Sequence, residues 1–178
     1  PDACHDAGFA MTSSFSTMLL TALAIFDQIQ TSLADLSTHL RDALPRYTAT
    51  LPKAPKRAVF VGAGPLAFAA RELGFRHGPK SFVTDDTLIT IFTSSDNAIA
   101  RYDQDLAEEL RAQFPKATVQ TIAAPINDTW GAPIAIAYAQ IAGVIWAAQM
   151  GLNVDDPFIG RGTLSRVVAG VKLYPVTS

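Results

Sequence analysis

Between positions 58 and 150 the sequence alternates short apolar runs with longer segments of helical period, and this alternation constrains the fold more than any other feature. Residues 58–61 read as a short buried strand, 62–65 (Gly-Ala-Gly-Pro) as a tight turn, and 66–73 as a short helix. A strand over 88–93, a helix over 98–114, a strand over 118–123 and a helix over 133–150 follow, the last with Pro133 in its first turn. Strands separated by helices cannot pair as hairpins, so the pattern predicts a parallel sheet with helices on both faces.

Upstream, apolar residues at 15, 18, 19, 22, 23, 26, 29, 33, 36 and 40 recur at three- and four-residue spacing. They predict one long amphipathic helix over 15–44, capped by Ser14. Pro45, Pro52 and Pro55 then mark 45–57 as a linker over the surface, because proline lacks the N–H that a helix interior uses. The domain reading is therefore 1–14 as the tail of a preceding unit, 15–44 as a helix, 45–57 as a linker and 58–178 as an α/β domain.

Charge and composition narrow the partners. A net charge of −2 lacks the basic excess that would neutralise a nucleic-acid backbone or hold an anionic membrane surface. One cysteine and three histidines do not fill the usual zinc ligand sets, and no disulfide framework is possible, which fits a cytoplasmic setting. The uncharged run 133–150 contains Gln140 and Gln149 among Ala, Ile and Gly, and suits a helix buried between layers better than a lipid-facing span.

In parallel α/β sheets ligands bind beyond the carboxyl ends of the strands, so the strand-to-helix turns are the places to search for chemistry. Gly62 and Gly64 let a backbone approach a bound phosphate closely, or serve only a tight turn; the third glycine of a dinucleotide fingerprint and the Lys-Ser/Thr of a P-loop are both missing. The run Thr93-Ser94-Ser95-Asp96, with its hydroxyls ahead of a helix, reads as a helix cap or as ligand contacts. His77, followed by Gly78 and Pro79, sits on a turn between Arg76 and Lys80, two cations that lower an imidazole's proton affinity toward a neutral acid/base form; a plain surface turn reads equally well.

Three motifs together resemble a known family: Phe75-Arg76-His77-Gly78-Pro79-Lys80-Ser81, Gly8-Phe9-Ala10-Met11-Thr12-Ser13-Ser14-Phe15, and Thr163-Leu164-Ser165-Arg166-Val167-Val168-Ala169-Gly170-Val171. They are similar to the second sugar isomerase (SIS) domain of the galactosamine-6-phosphate deaminase/isomerases, also known as tagatose-6-phosphate ketose/aldose isomerases, with a more distant likeness to the isomerase half of glucosamine-6-phosphate synthase. The resemblance implies a flavodoxin-like parallel sheet, a phosphorylated sugar as substrate, a homo-oligomer, and chemistry without a metal or other cofactor. It implies catalytic roles for His77, which in the synthase relative opens the sugar ring from a neighbouring subunit, and for Arg166, which stands where that relative has a lysine. Thr12, Ser13, Gly62, Gly64 and Ser165 are its implied substrate-binding residues.

The chain departs from that pattern in two places. Most of a first SIS domain is missing, and Leu73 runs directly into Gly74 where the family has the rest of a helix, a second strand and the glutamate that acts as base in the synthase relative. In the flavodoxin-like strand order the second strand lies at an edge, so the sheet is expected to survive without it. The reading is the C-terminal SIS portion of a sugar-phosphate deaminase or aldose-ketose isomerase, inactive as an isolated chain. The alternative is a noncatalytic SIS module that binds a sugar phosphate or dimerises.

Overall fold

The computed structural model describes residues 12–27, 33–68, 75, 78–123 and 125–154. Its elements are α1 (Thr12–Phe26), α2 (Leu33–Thr50), β1 (Arg57–Gly62), β2 (Thr87–Thr93), α3 (Asn97–Gln113), β3 (Thr118–Ala123) and α4 (Asp128–Gln149), with short 3₁₀ turns at Gly64–Phe68 and Pro79–Phe82. The three strands form a parallel sheet in the order β1-β2-β3, in register from Arg57 opposite Thr87 and from Leu88 opposite Thr118. Among the described residues β1 has a partner on one side only, as expected of a sheet without its second strand.

Period-two alternation divides the sheet between two cores. Val61, Ile89 and Ile91 point to α3, where they pack on Leu106, Ala107 and Leu110 together with Phe75 and Val83. Phe92 points the other way, to Leu66 and to Ala132, Ala135 and Tyr138 of α4, with Phe60 and Ile122 against the same cluster. Because α3 covers one face only, it keeps a polar outer side; α4 does not. Its Trp130 and Ile134 face away from the sheet into a third layer made by Leu36, Leu40 and Ala43 of α2 and Leu20 and Leu23 of α1. A helix pressed between a sheet and two other helices needs apolar residues on nearly all sides. α4 is long and apolar enough to cross a membrane by length and composition, and half of that apolar window is buried inside the fold.

The single helix expected over 15–44 is two helices. α1 ends at Phe26, and Asp27 turns its carboxylate to the indole N–H of Trp130 at 2.6 Å. The apolar period carries on into α2 because both helices face α4, so the spacing recorded a shared partner and not continuity. The linker expected from Pro45 starts later: α2 runs through Pro45 to Thr50. Proline removes a donor from the helix ladder, yet Ala43 and Tyr47 on either side of it are packed on α4, and tertiary packing outweighs local propensity. Downstream, Trp146 Nε1 donates to the Pro52 carbonyl at 2.9 Å and Ala54 N donates to Gln149 Oε1 at 2.7 Å, which docks the connection onto the end of α4. α4 itself begins at Asp128, with Asn127 accepting from the Trp130 N–H at 3.1 Å, so Pro133 lies in the second turn and not the first.

The glycine turn after β1 is set by close approach. A Cβ at Gly62 would lie 2.7 Å from the carbonyl oxygen of Leu66, and Leu66 is fully buried, so that carbonyl has little room to retreat. Gly64 has φ +54°, in the left-handed region, with open space around it. Gly62→Ala is expected to destabilise the fold by about 1–3 kcal/mol through overpacking, and Gly64→Ala by about 1 kcal/mol through backbone strain alone. Urea denaturation of the two variants checks both the size and the order.

Candidate functional site

The carboxyl ends of the three strands bring together the glycine turn after β1, residues 94–96 after β2 and residues 125–128 after β3. These are the turns where sequence reasoning placed the chemistry. Gly62 and Gly64 are in the turn where they were expected; of the helix expected over 66–73, residues 66–68 belong to a 3₁₀ turn, Gly64–Phe68, and 69–73 lie outside the described residues. Both glycines have sufficient conformational reasons to be there.

The turn after β2 is held from three directions by carboxylates. Asp96 caps α3, its Oδ1 accepting from the N–H groups of Ala98 at 2.7 Å and Ile99 at 3.3 Å. Asp103, almost fully buried on α3, accepts from the Ser94 N–H at 2.8 Å. Asp128, the first residue of α4, accepts the Ser94 hydroxyl at 2.5 Å on one oxygen and both the N–H and the hydroxyl of Ser95, at 2.6 and 2.8 Å, on the other. The Asp96 N–H is taken up by Ser94 Oγ at 3.0 Å. Of the two readings of this turn, the cap is the one the geometry displays. These donors, which could otherwise cradle an anion, already have internal acceptors, and an incoming phosphate would meet three like charges. Asp128 escaped sequence reasoning because its helix was started at Pro133; the Asn127-Asp128 pair, a cap followed by an acidic first turn, was the available signal.

A second polar group lies inside the α4 side of the sheet. Gln120 Nε2 of β3 donates to Thr90 Oγ1 of β2 at 2.8 Å and to the Tyr138 hydroxyl of α4 at 2.7 Å. Tyr47 of α2 meets the Tyr138 ring edge-on, with centroids 5.0 Å apart. Burial pushes both phenols above their ordinary value of 10.0, against a smaller opposing effect of Arg46 on Tyr47 and of Gln120 on Tyr138.

His77, Ser165 and Arg166 lie outside the described residues. Thr12 and Ser13 form the first turn of α1, while the contacts that dock α1 come from Leu20, Leu23 and Asp27 at its other end. The flanks of His77 are visible. Phe75 is anchored in the α3-side core, and Gly78 and Pro79 are exposed, as a turn requires. The 3₁₀ turn Pro79–Phe82 is fastened at the opposite end of the sheet from the turns above: the first residue of β1, Arg57, donates to the Phe82 carbonyl, and Lys80 pairs with Glu109 in the second half of α3. That pair neutralises one of the two cations expected to act on His77. Among the described residues no three His, Cys, Asp or Glu side chains are grouped to hold a metal ion.

No protein-family model matches the chain. In sequence it is similar to the D-galactosamine-6-phosphate deaminase AgaS of Shewanella sp. (strain ANA-3), with 34% identity over 207 residues, 98% of this chain and 53% of that protein. The protein of the same name from Escherichia coli is 34% identical over 221 residues, covering 98% and 57%. Among solved structures, tagatose-6-phosphate ketose/aldose isomerase from Escherichia coli superposes with a TM-score of 0.77 at 30% identity, over all of this chain and 57% of the other. Glucosamine-6-phosphate deaminase from Thermotoga maritima shares the fold, with a TM-score of 0.68 at 22% identity over 91% of this chain. The chain therefore has the sugar isomerase (SIS) fold. It is a homologue of the galactosamine-6-phosphate deaminases and spans about half the length of the curated relatives it matches. Both alignments are also longer than its 178 residues, so these relatives carry stretches for which the chain has no counterpart.

Asp128→Ala removes the acceptor of three hydrogen bonds and is expected to cost about 1–3 kcal/mol, with faster amide exchange at Ser95 but not in β1. A second expectation concerns alkaline pH. With folded phenols above 10.0, the stabilisation they carry is complete below that pH and is lost as pH rises through the folded values. Lys56 and Lys116, raised by hydrogen bonds to Asp86 and Asp85, act in the same direction. Urea midpoints should be flat between pH 8 and pH 9 and fall above about pH 10, and Tyr138→Phe should fall less steeply.

Proposed function

We propose that the chain is the C-terminal SIS portion of a sugar-phosphate deaminase or aldose-ketose isomerase that acts on amino-sugar or ketose 6-phosphates, with turnover belonging to the longer protein. The observation that carries this reading is the similarity along 98% of the chain to D-galactosamine-6-phosphate deaminases. Ring opening and proton transfer between C1 and C2 need an acid/base group for the ring oxygen and a base for the C2 proton, both within hydrogen-bond reach of one sugar. His77 is our candidate for the first and Arg166 for a contact to the open-chain sugar, with Thr12, Ser13, Gly62, Gly64 and Ser165 forming part of the wall around it. The turn that follows His77 is tied to the amino ends of the strands, whereas Gly62, Ser94 and Asp128 lie at the carboxyl ends. This separation favours a site completed by another subunit. So do the exposed Met18, Ile25 and Phe26 of α1, which leave an apolar surface for an oligomeric partner. We assign the protein to the cytoplasm and its chemistry to side chains without a cofactor.

A second reading, a noncatalytic SIS module, draws support from the closure of the Ser94–Asp96 turn by Asp128. Coupled detection of ammonia released from galactosamine 6-phosphate separates the two. The 178-residue chain should release none, and the longer protein should turn over. In the longer protein His77→Ala should lower turnover by about 10²- to 10⁴-fold with an unchanged circular dichroism spectrum. A longer protein that binds sugar phosphate without releasing ammonia or interconverting aldose and ketose would establish the noncatalytic reading.

A further inference from the structure

A groove of about 490 Å³ runs along the outer edge of β3, between the last turn of α2 and the first residues beyond Ala123. Its walls include Arg46, Tyr47 and Thr50 of α2, Gln120 of β3 and Tyr138 of α4. The volume is within the range of small-molecule sites, roughly 300–1,000 Å³, and the groove opens at the carboxyl end of a parallel strand, where α/β sheets bind ligands.

Its chemistry differs from that of the neighbouring Ser94–Asp96 turn. No carboxylate lines it, and it holds one cation. Among the described residues the Arg46 side chain makes a single hydrogen bond, from Nε to the Asp42 carbonyl at 3.2 Å, which steadies the guanidinium and leaves its two terminal nitrogens as donors. Opposite, the Gln120 amide is fixed by Thr90 and Tyr138, and the Tyr47 and Tyr138 rings are locked edge to face. A cation at the rim and preset polar and aromatic groups on the wall suit a hydroxylated ring that carries one anionic group.

We propose that this groove is a binding site for a phosphorylated sugar, with Arg46 holding the phosphate and the Tyr47, Gln120 and Tyr138 wall taking the ring. The choice of phosphate as the anion rests on the function proposed above. The lining has no imidazole or carboxylate to act as a base, so the groove holds its ligand and does not transform it.

Calorimetry on the 178-residue chain, with galactosamine 6-phosphate, galactosamine and inorganic phosphate as separate titrants, tests the proposal. The sugar phosphate should bind at least about tenfold more tightly than either fragment, and Arg46→Gln should weaken it at least about tenfold with an unchanged circular dichroism spectrum. Arg46→Lys, which keeps the charge and loses the fork, should fall between. Inorganic phosphate binding as tightly as the sugar phosphate, or Arg46→Gln binding like the parent, would overturn the site. The measurement reads binding and not turnover, so an empty groove would leave ammonia release by the longer protein untouched, and the two readings fail separately.

Discussion

The burial of α4 is the constraint on which the rest of the structure depends. Its 22 residues contain one charge, Asp128, and the helix is stable only if both of its sides are covered. The sheet covers one side through Phe92, Leu88 and Phe60, and α1 with α2 covers the other through Leu20, Leu23, Leu36 and Ala43. Polar groups at its ends then fix what surrounds it: Trp130 to Asp27, Asp128 to the Ser94–Ser95 turn, Trp146 to Pro52 and Gln149 to Ala54. Losing a buried aromatic such as Trp130 typically costs about 3–5 kcal/mol, a large share of the stability of a small domain.

This architecture divides the carboxyl end of the sheet into two electrostatic regions. At the start of α3, three aspartates occupy the donors of one turn and make it hostile to an anion. Beside β3, a single arginine stands over a groove free of carboxylates. The proposed preference of a sugar phosphate for the second region over the first follows from which residues α4 and α2 present when they pack. The turn Pro79–Phe82, which follows His77 in the sequence, is tied to the other end of the sheet. Among the described residues of one copy, Phe75, Gly78 and Pro79 do not lie beside the glycine turn in any contact the fold makes. The curated relatives are about twice as long.

The strands and α3 were legible in the sequence to within a residue, because a two-residue or 3.6-residue period bounded by Gly, Pro or Asp leaves few alternatives. The helical layer was less so. The break after Phe26 was hidden by an apolar period that both helices share, and Pro45 was outvoted by its packed neighbours. At the carboxyl ends of the strands, the glycine turn at 62–64 and a cap within 93–96 were readable, since each is a local backbone requirement. The Asp128 link to Ser94 and Ser95 and the Gln120–Tyr138 pair join residues distant in sequence and have no local period to announce them.

The division of this face is tested most directly by mapping backbone amide shifts of the uniformly labelled chain as galactosamine 6-phosphate is added. Saturable shifts are expected at Thr121, Ile122 and Ala123 and at Arg46 and Tyr47, with Ser94, Ser95 and Asp96 unmoved. Saturable shifts at Ser94–Asp96 with a silent β3 edge would contradict it, since the phosphate would then have displaced Asp128 from the turn that the structure shows it filling.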